Sequence, residues 1–280
     1  MPHLPLDDGF QLYYEVHGRP AGSAPAVLLA HGAGGNTLVW WQQIPAFAER
    51  YTTIVFDHRA FGRSPDIEDG PGRIAFGTDT LALVDHVGVE RVHFVGHSMG
   101  GRTAFGLFTR APERVLSITY SGTNGGVQDD DARARKVELT DEGFFAGSLL
   151  RRALAEHTYE RSPEVAFLYR QLRGTNPPRP RDFLAPTPRR MNYRGGGVAA
   201  RLADMGVPVQ WLVGEHDRVV APELIRRCHE LTPGSRFRLI ADAGHSSYFE
   251  QPEAWNDAVL GFIDAVERGA ERAVDSAAAK

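Results

Sequence analysis

Strand and helix signals alternate along most of this 280-residue chain and predict an α/β fold: a mostly parallel central sheet, helices on both faces, and a helical cap inserted late. Three observations carry that prediction. Short, fully apolar runs such as Ala26-Val27-Leu28-Leu29-Ala30 read as buried parallel strands. These runs empty into turn-rich segments followed by helical patterns. The run at 91–95 breaks through Gly96-His97-Ser98-Met99-Gly100 into helix-compatible residues 102–109, a strand, sharp turn and helix that would expose one side chain at the apex.

Taken in order, residues 10–16 alternate and end at Gly18, which suits an edge strand. After a polar link at 20–25, the strand at 26–30 leads into His31-Gly32-Ala33-Gly34-Gly35-Asn36. Residues 38–50 read as a helix that Pro45 should kink or interrupt. The strand at 52–56 ends at Asp57-His58-Arg59-Ala60-Phe61-Gly62-Arg63-Ser64, and 74–87 look helical. Beyond the elbow at Ser98 lies a strand at 115–120. Strand signals then vanish until 207, across an acidic run (Asp129, Asp130, Asp131) and a Pro-rich segment at 176–188; 139–157 and 164–172 can supply short helices. This assigns 125–197 to a helical cap or lid and 1–124 with 198–280 to the core. The rhythm resumes with a strand at 207–213, a helix at 222–231, a strand at 237–241, a closing helix at 252–267 and a frayed, Ala-rich tail.

Composition bounds the function. With 42% hydrophobic and 24% charged residues the chain can bury a sizeable core, and a net charge of −4 is no signature of a polyanion binder, so nucleic acid is not an expected partner. The single cysteine, Cys228, excludes an internal disulfide and a multi-Cys zinc site and suits a reducing compartment. No apolar run approaches the roughly 18 residues of a membrane span, and the start of the chain, with Asp7 and Asp8, lacks a secretory pattern. A cytoplasmic protein acting on a small molecule, with no membrane insertion, is expected; the oligomeric state stays open.

The chemistry gathers at predicted strand ends. Ser98 sits at the elbow apex, Gly96 and Gly100 allow strand and helix to approach, and the Met99 amide opens the next helix, where free N–H groups favour negative charge. A serine hydroxyl needs a base, and the base needs a partner that holds its tautomer. His245, in Asp242-Ala243-Gly244-His245, and Asp217, in Gly214-Glu215-His216-Asp217, follow the last two strands. Competitors exist: His97 adjoins the serine, although adjacent side chains at an elbow are expected to diverge, and Glu215 and the 129–131 run compete for the acid.

Together these blocks resemble the α/β-hydrolase superfamily, in its cap-bearing esterase, lactonase and C–C hydrolase branch. The resemblance spans nearly the whole chain outside the cap: His31-Gly32, Asp57 through Ser64, Gly96 through Gly101, Gly214 through Asp217, and Gly244-His245. It implies that Ala33, after the His-Gly pair, donates an oxyanion-hole amide beside that of Met99. One departure is Ala60, where relatives usually carry glycine. The segment 32–37 fails as a dinucleotide loop because Thr37 stands where glycine is needed, no H-E-x-x-H occurs, and Ser98 replaces the aspartate of epoxide and haloalkane hydrolases. No metal and no cofactor are expected.

The cap should supply the substrate pocket. Its candidates are Phe144, Phe145 and Tyr169, with Tyr159, Phe167 and Tyr193 as further aromatics, and an arginine-rich stretch (170, 173, 179, 181, 189, 190, 194) set against Asp182 alone. Arg189, Arg190 and Arg194 are expected to meet a substrate anion, with Tyr193 beside them as a substrate-binding candidate; a solvated arginine-rich surface is the competing account. The expected activity is serine hydrolysis of an ester, lactone or thioester through an acyl-enzyme. The alternatives are C–C hydrolysis of a β-diketone-like acid, and a slow-turnover receptor that keeps the three residues.

Overall fold

The computed structural model describes residues 2–178, 183 and 197–278, with side chains to residue 269. Eight strands form one sheet: β1 His3–Pro5, β2 Gln11–Gly18, β3 Ala26–Ala30, β4 Thr52–Phe56, β5 Val92–His97, β6 Val115–Ser121, β7 Val209–Gly214 and β8 Arg236–Ile240. Their spatial order is β1-β2-β4-β3-β5-β6-β7-β8. From β3 to β8 every pairing is parallel, while β1 and β2 run antiparallel at one side. Residues 10–16 are therefore not the edge they were expected to be, because β1 covers β2. A three-residue strand is too short to carry a period.

Every residue of β3, β4, β5 and β7 is buried, as expected of parallel strands covered on both faces. Alternation divides them between two cores. Leu28, Ile54, Phe94 and Trp211 face one layer, packed under α2 Phe76–Val87, α3 Met99–Phe108 and α9 Pro222–Glu230; Val27, Leu29, Val55, Val95 and Leu212 face the other, under α1 Gln43–Ala48, α10 Ser247–Glu250 and α11 Pro252–Ala278. The helix expected over 38–50 is split into a 3-10 turn, Thr37–Trp40, and α1. Pro45 lies in the first turn of α1, where its missing N–H costs nothing. The closing helix continues past the expected end at 267, to Ala278.

Between β6 and β7 the described residues form helices alone: α4 Asp130–Asp141, α5 Leu149–Arg152, α6 Thr158–Arg161, α7 Pro163–Gly174 and α8 Gly197–Asp204. The acidic run proves to be a helix start. Asp129 accepts from the Ala132 amide at 2.9 Å and pairs with Arg227 at 2.6 Å, so α4 begins nine residues before the helix expected from Leu139. Beneath it, the Cys228 thiol of α9 is buried and donates to the Val127 carbonyl, and burial pushes its pKa up to about 12. Two loops of the core are also pinned. Buried Arg59 grips Asp79 with two hydrogen bonds (2.6 and 2.9 Å) and reaches Asp8 at 2.7 Å. Ala60, at φ +65 and buried, holds a left-handed conformation that costs an L-residue energy.

Candidate active site

β5 delivers Ser98 to a turn so sharp that its φ is +50 and ψ −112, values that persist in a non-glycine residue only when the surroundings impose them. They do so here. The Ser98 amide donates to the Ser121 carbonyl at 2.8 Å, and α3 closes on the turn with Gly101 N–H on Ser98 O at 3.0 Å. A Cβ on Gly96 would lie 2.6 Å from the Gly100 carbonyl, and one on Gly100 would strike the Ala30 carbonyl, so this elbow admits only glycine at both places.

β7 and β8 bring up the other two candidates. Asp217 is fully buried, and its Oδ1 accepts from the Val219 and Val220 amides at 2.7 and 2.8 Å. Its Oδ2 lies 2.8 Å from His245 Nδ1. A carboxylate can only accept, so His245 Nδ1 is the donor, and in the neutral imidazole this tautomer leaves Nε2 as the acceptor. The His245 loop is stapled to the insertion: Ser246 N–H donates to Ala153 O at 2.8 Å, and Glu250 accepts from the Gly244 and Ala155 amides and from the Thr158 hydroxyl. Burial raises the pKa of Glu250.

Ser98 and His245 share one pocket with Ala33 and His97 of the core and Leu149, Tyr169 and Arg173 of the insertion. Gly32 permits this approach, since a Cβ there would lie 2.7 Å from the His97 ring and 3.0 Å from Ser98 Cβ. Behind that loop His31 donates from Nδ1 to the Gly32 carbonyl (2.9 Å) while its Nε2 accepts from the His58 amide (3.0 Å), which fixes its tautomer. Asp57, buried with its pKa raised by that burial, ties the loop to the next by accepting from the Thr37 and Arg63 amides at 2.5 and 2.8 Å.

The remaining expectations fared unevenly. Met99 opens α3, its side chain packed with Phe61 and Phe76. Among the described residues neither the Ala33 nor the Met99 amide donates a hydrogen bond. Phe144 and Phe145 are not in the pocket: they meet edge to face at 5.0 Å in a cluster with Leu139, Ala221 and Leu224, joining the foot of α4 to α9, so the packing role displaces the substrate role expected of them. Tyr169 is in the pocket wall, whereas Arg189, Arg190, Tyr193 and Arg194 lie outside the described residues. His97 does not diverge from the site. Its ring centroid is 4.8 Å from that of His245, its Nδ1 donates to the Ser121 carbonyl at 3.1 Å, and burial, reinforced by His245, holds its pKa far below the usual histidine value. Arg173 was visible in sequence only as one of a run of arginines; nothing there singled it out.

Residues 25–252 match the family described as the alpha/beta hydrolase fold. The chain belongs to the α/β-hydrolase family. Within it, the chain is similar to a protein of Azorhizobium caulinodans named "Putative carbamate hydrolase RutD", at 31% identity over 96% of this chain and 100% of that one. Among solved structures it resembles a thermophilic esterase from Thermogutta terrifontis, described with malate bound (26% identity, TM-score 0.76, 95% and 99% of the two chains). It also resembles Est816, described as an N-acyl homoserine lactone degrading enzyme (25% identity, TM-score 0.71, 93% and 100%).

Proposed function

We propose that this α/β-hydrolase is a serine hydrolase that cleaves a carboxylic ester, lactone or thioester through an acyl-enzyme on Ser98. The observation that carries the reading is the 2.8 Å contact of His245 Nδ1 with buried Asp217, in a histidine that shares a pocket with a serine held at a strained elbow. Ser98 Oγ attacks the carbonyl carbon as its proton passes to His245 Nε2. The tetrahedral oxyanion is met by the Met99 and Ala33 amides, each such donor contributing on the order of 3 kcal/mol to the transition state. Collapse breaks the bond to the leaving group, which takes the proton from His245. Water then repeats the sequence on the acyl-enzyme, and Asp217 orients His245 and stabilises its cation throughout.

We take 125–197 as a cap and 1–124 with 198–280 as the core; Leu149, Tyr169 and Arg173, which belong to the insertion and stand in the pocket wall, support that division. The relatives' names bring carbamates, which react by the same acyl chemistry, into the substrate class to test. A second reading, C–C hydrolysis of a β-diketone-like acid, is favoured by Arg173, a cation in the wall of the Ser98 pocket. The single thiol suits the cytoplasm, and among the described residues no helix is long and apolar enough to cross a membrane.

The test is a fluorophosphonate probe followed by peptide mapping, alongside turnover of a panel of small esters, lactones and carbamates. Label on Ser98 alone, lost in a folded Ser98→Ala variant that has also lost all hydrolysis, is expected. Label on another serine with Ser98 untouched would overturn the reading, and single turnover without release of product would favour a receptor.

A further inference from the structure

The loop that carries the Ala33 amide is tied to the insertion through a chain of hydrogen bonds. At its head is Asn176, two residues past the end of α7. Asn176 Nδ2 donates to the Gly34 carbonyl at 2.8 Å and to the Arg173 carbonyl at 2.9 Å, while its Oδ1 accepts from the Gly62 amide at 2.8 Å. Two carbonyls on the nitrogen and an N–H on the oxygen leave one orientation for this side-chain amide.

Gly34 C=O and Gly35 N–H belong to one peptide group, and that N–H donates to the Gly32 carbonyl at 2.9 Å. Gly32 C=O and Ala33 N–H belong to the next peptide group in the chain of bonds. Because N–H and C=O point opposite ways across a trans peptide, holding each carbonyl aims the N–H behind it. The order is thus Asn176, the Gly34–Gly35 peptide, the Gly32–Ala33 peptide, and the Ala33 N–H. Each link also polarises the next. Gly34 has φ +86 and no side chain to brace it, so its carbonyl is held from outside. Further contacts bind the same two segments: Arg173 donates to Ala33 O at 2.9 Å, and Asn36 donates to the Thr175 hydroxyl at 2.8 Å.

We infer that Asn176 is a positioning residue for catalysis, acting through two peptide groups to aim the Ala33 amide at the oxyanion. The inference rests on the reading of Ala33 as an oxyanion donor. It makes the cap part of the catalytic apparatus, since the end of α7 sets the geometry of a core loop.

Two variants test it. Asn176→Ala removes both sides of the link. Asn176→Asp keeps the acceptor for Gly62 N–H but turns an oxygen toward the Gly34 carbonyl. With p-nitrophenyl acetate, kcat per titrated active site should fall about 10-fold or more, a part of the loss seen when a whole oxyanion donor is removed. KM should stay within about 2-fold, because the ground-state carbonyl gains little from the amide. Inhibition by a trifluoromethyl ketone should weaken in step with kcat/KM, the pH profile should keep its shape, and the amides of residues 33–36 should exchange hydrogen faster. A purely structural role would lower the number of titratable sites and leave kcat per site unchanged, and that result overturns the inference. So does a loss of kcat without faster exchange at residues 33–36. If the wild-type protein neither turns over esters nor labels at Ser98, the serine-hydrolase reading is what fails, and the exchange measurement alone still decides whether Asn176 holds the loop.

Discussion

Asp217 holds His245 with one oxygen and two backbone amides with the other, so its carboxylate cannot be replaced by an amide without turning a donor toward Nδ1 or toward Val219 and Val220. Asp217→Asn should therefore lower kcat by about 10⁴, as loss of the correct histidine tautomer does in a serine protease. Asp129 is the control. Its carboxylate caps α4 and pairs with Arg227, so Asp129→Ala should cost about 1 kcal/mol of stability, read by urea titration, and leave kcat unchanged. A reversal of those two outcomes would move the acid to the end of β6. Ala60 offers a different measurement. At φ +65 its Cβ is strained where glycine would not be, so Ala60→Gly should raise stability by up to about 1 kcal/mol; a drop in Tm would mean that the packing of its buried methyl outweighs the strain.

At the scale of elements, legibility followed burial. β3 and β4 were readable residue for residue because both faces are covered and every position is apolar or small. The elbow and the ends of β7 and β8 were readable because strand ends in an α/β sheet converge on one edge: Asp217 contacts His245, and His245 lines one pocket with Ser98. What depended on tertiary contact was not readable. β1 has three residues and no period, and Gly143 and Gly147 divide the stretch at 139–157 that was expected to supply short helices, leaving α4 and α5 with a loop between. Phe144 and Phe145 looked like pocket aromatics because sequence gives side-chain type and not the facing element, which here is α9. Arg173 and Asn176 reach the Gly32–Asn36 loop only because the end of α7 lies against it.

For the whole molecule, the buried histidines set a dependence on pH. Burial holds His58 and His97 far below the ordinary histidine pKa of about 6.5. The unfolded chain takes up protons near that pH and the native chain does not, so the stabilisation is complete above about 6.5 and is lost as pH falls, by up to about 1.4 kcal/mol per pH unit for each residue. Asp57, Asp79 and Glu250, whose pKa values burial raises, act in the opposite sense and gain stability as they take up protons. Urea titrations between pH 7.5 and 6 should show the loss, and His58→Gln should make its slope shallower. An unchanged slope in that variant would mean that His58 titrates in the native protein.

The thiol of Cys228 gives the native protein a built-in clock. It is the sole cysteine of the chain, buried in α9 against Val127, and a pKa near 12 leaves it almost wholly protonated at neutral pH. A maleimide should therefore react only in molecules whose α9 has lifted from the segment after β6, and alkylation, followed by mass, should count those excursions one by one. Full, immediate labelling of the native protein would show that this flank of the sheet is open far more often than its packing implies.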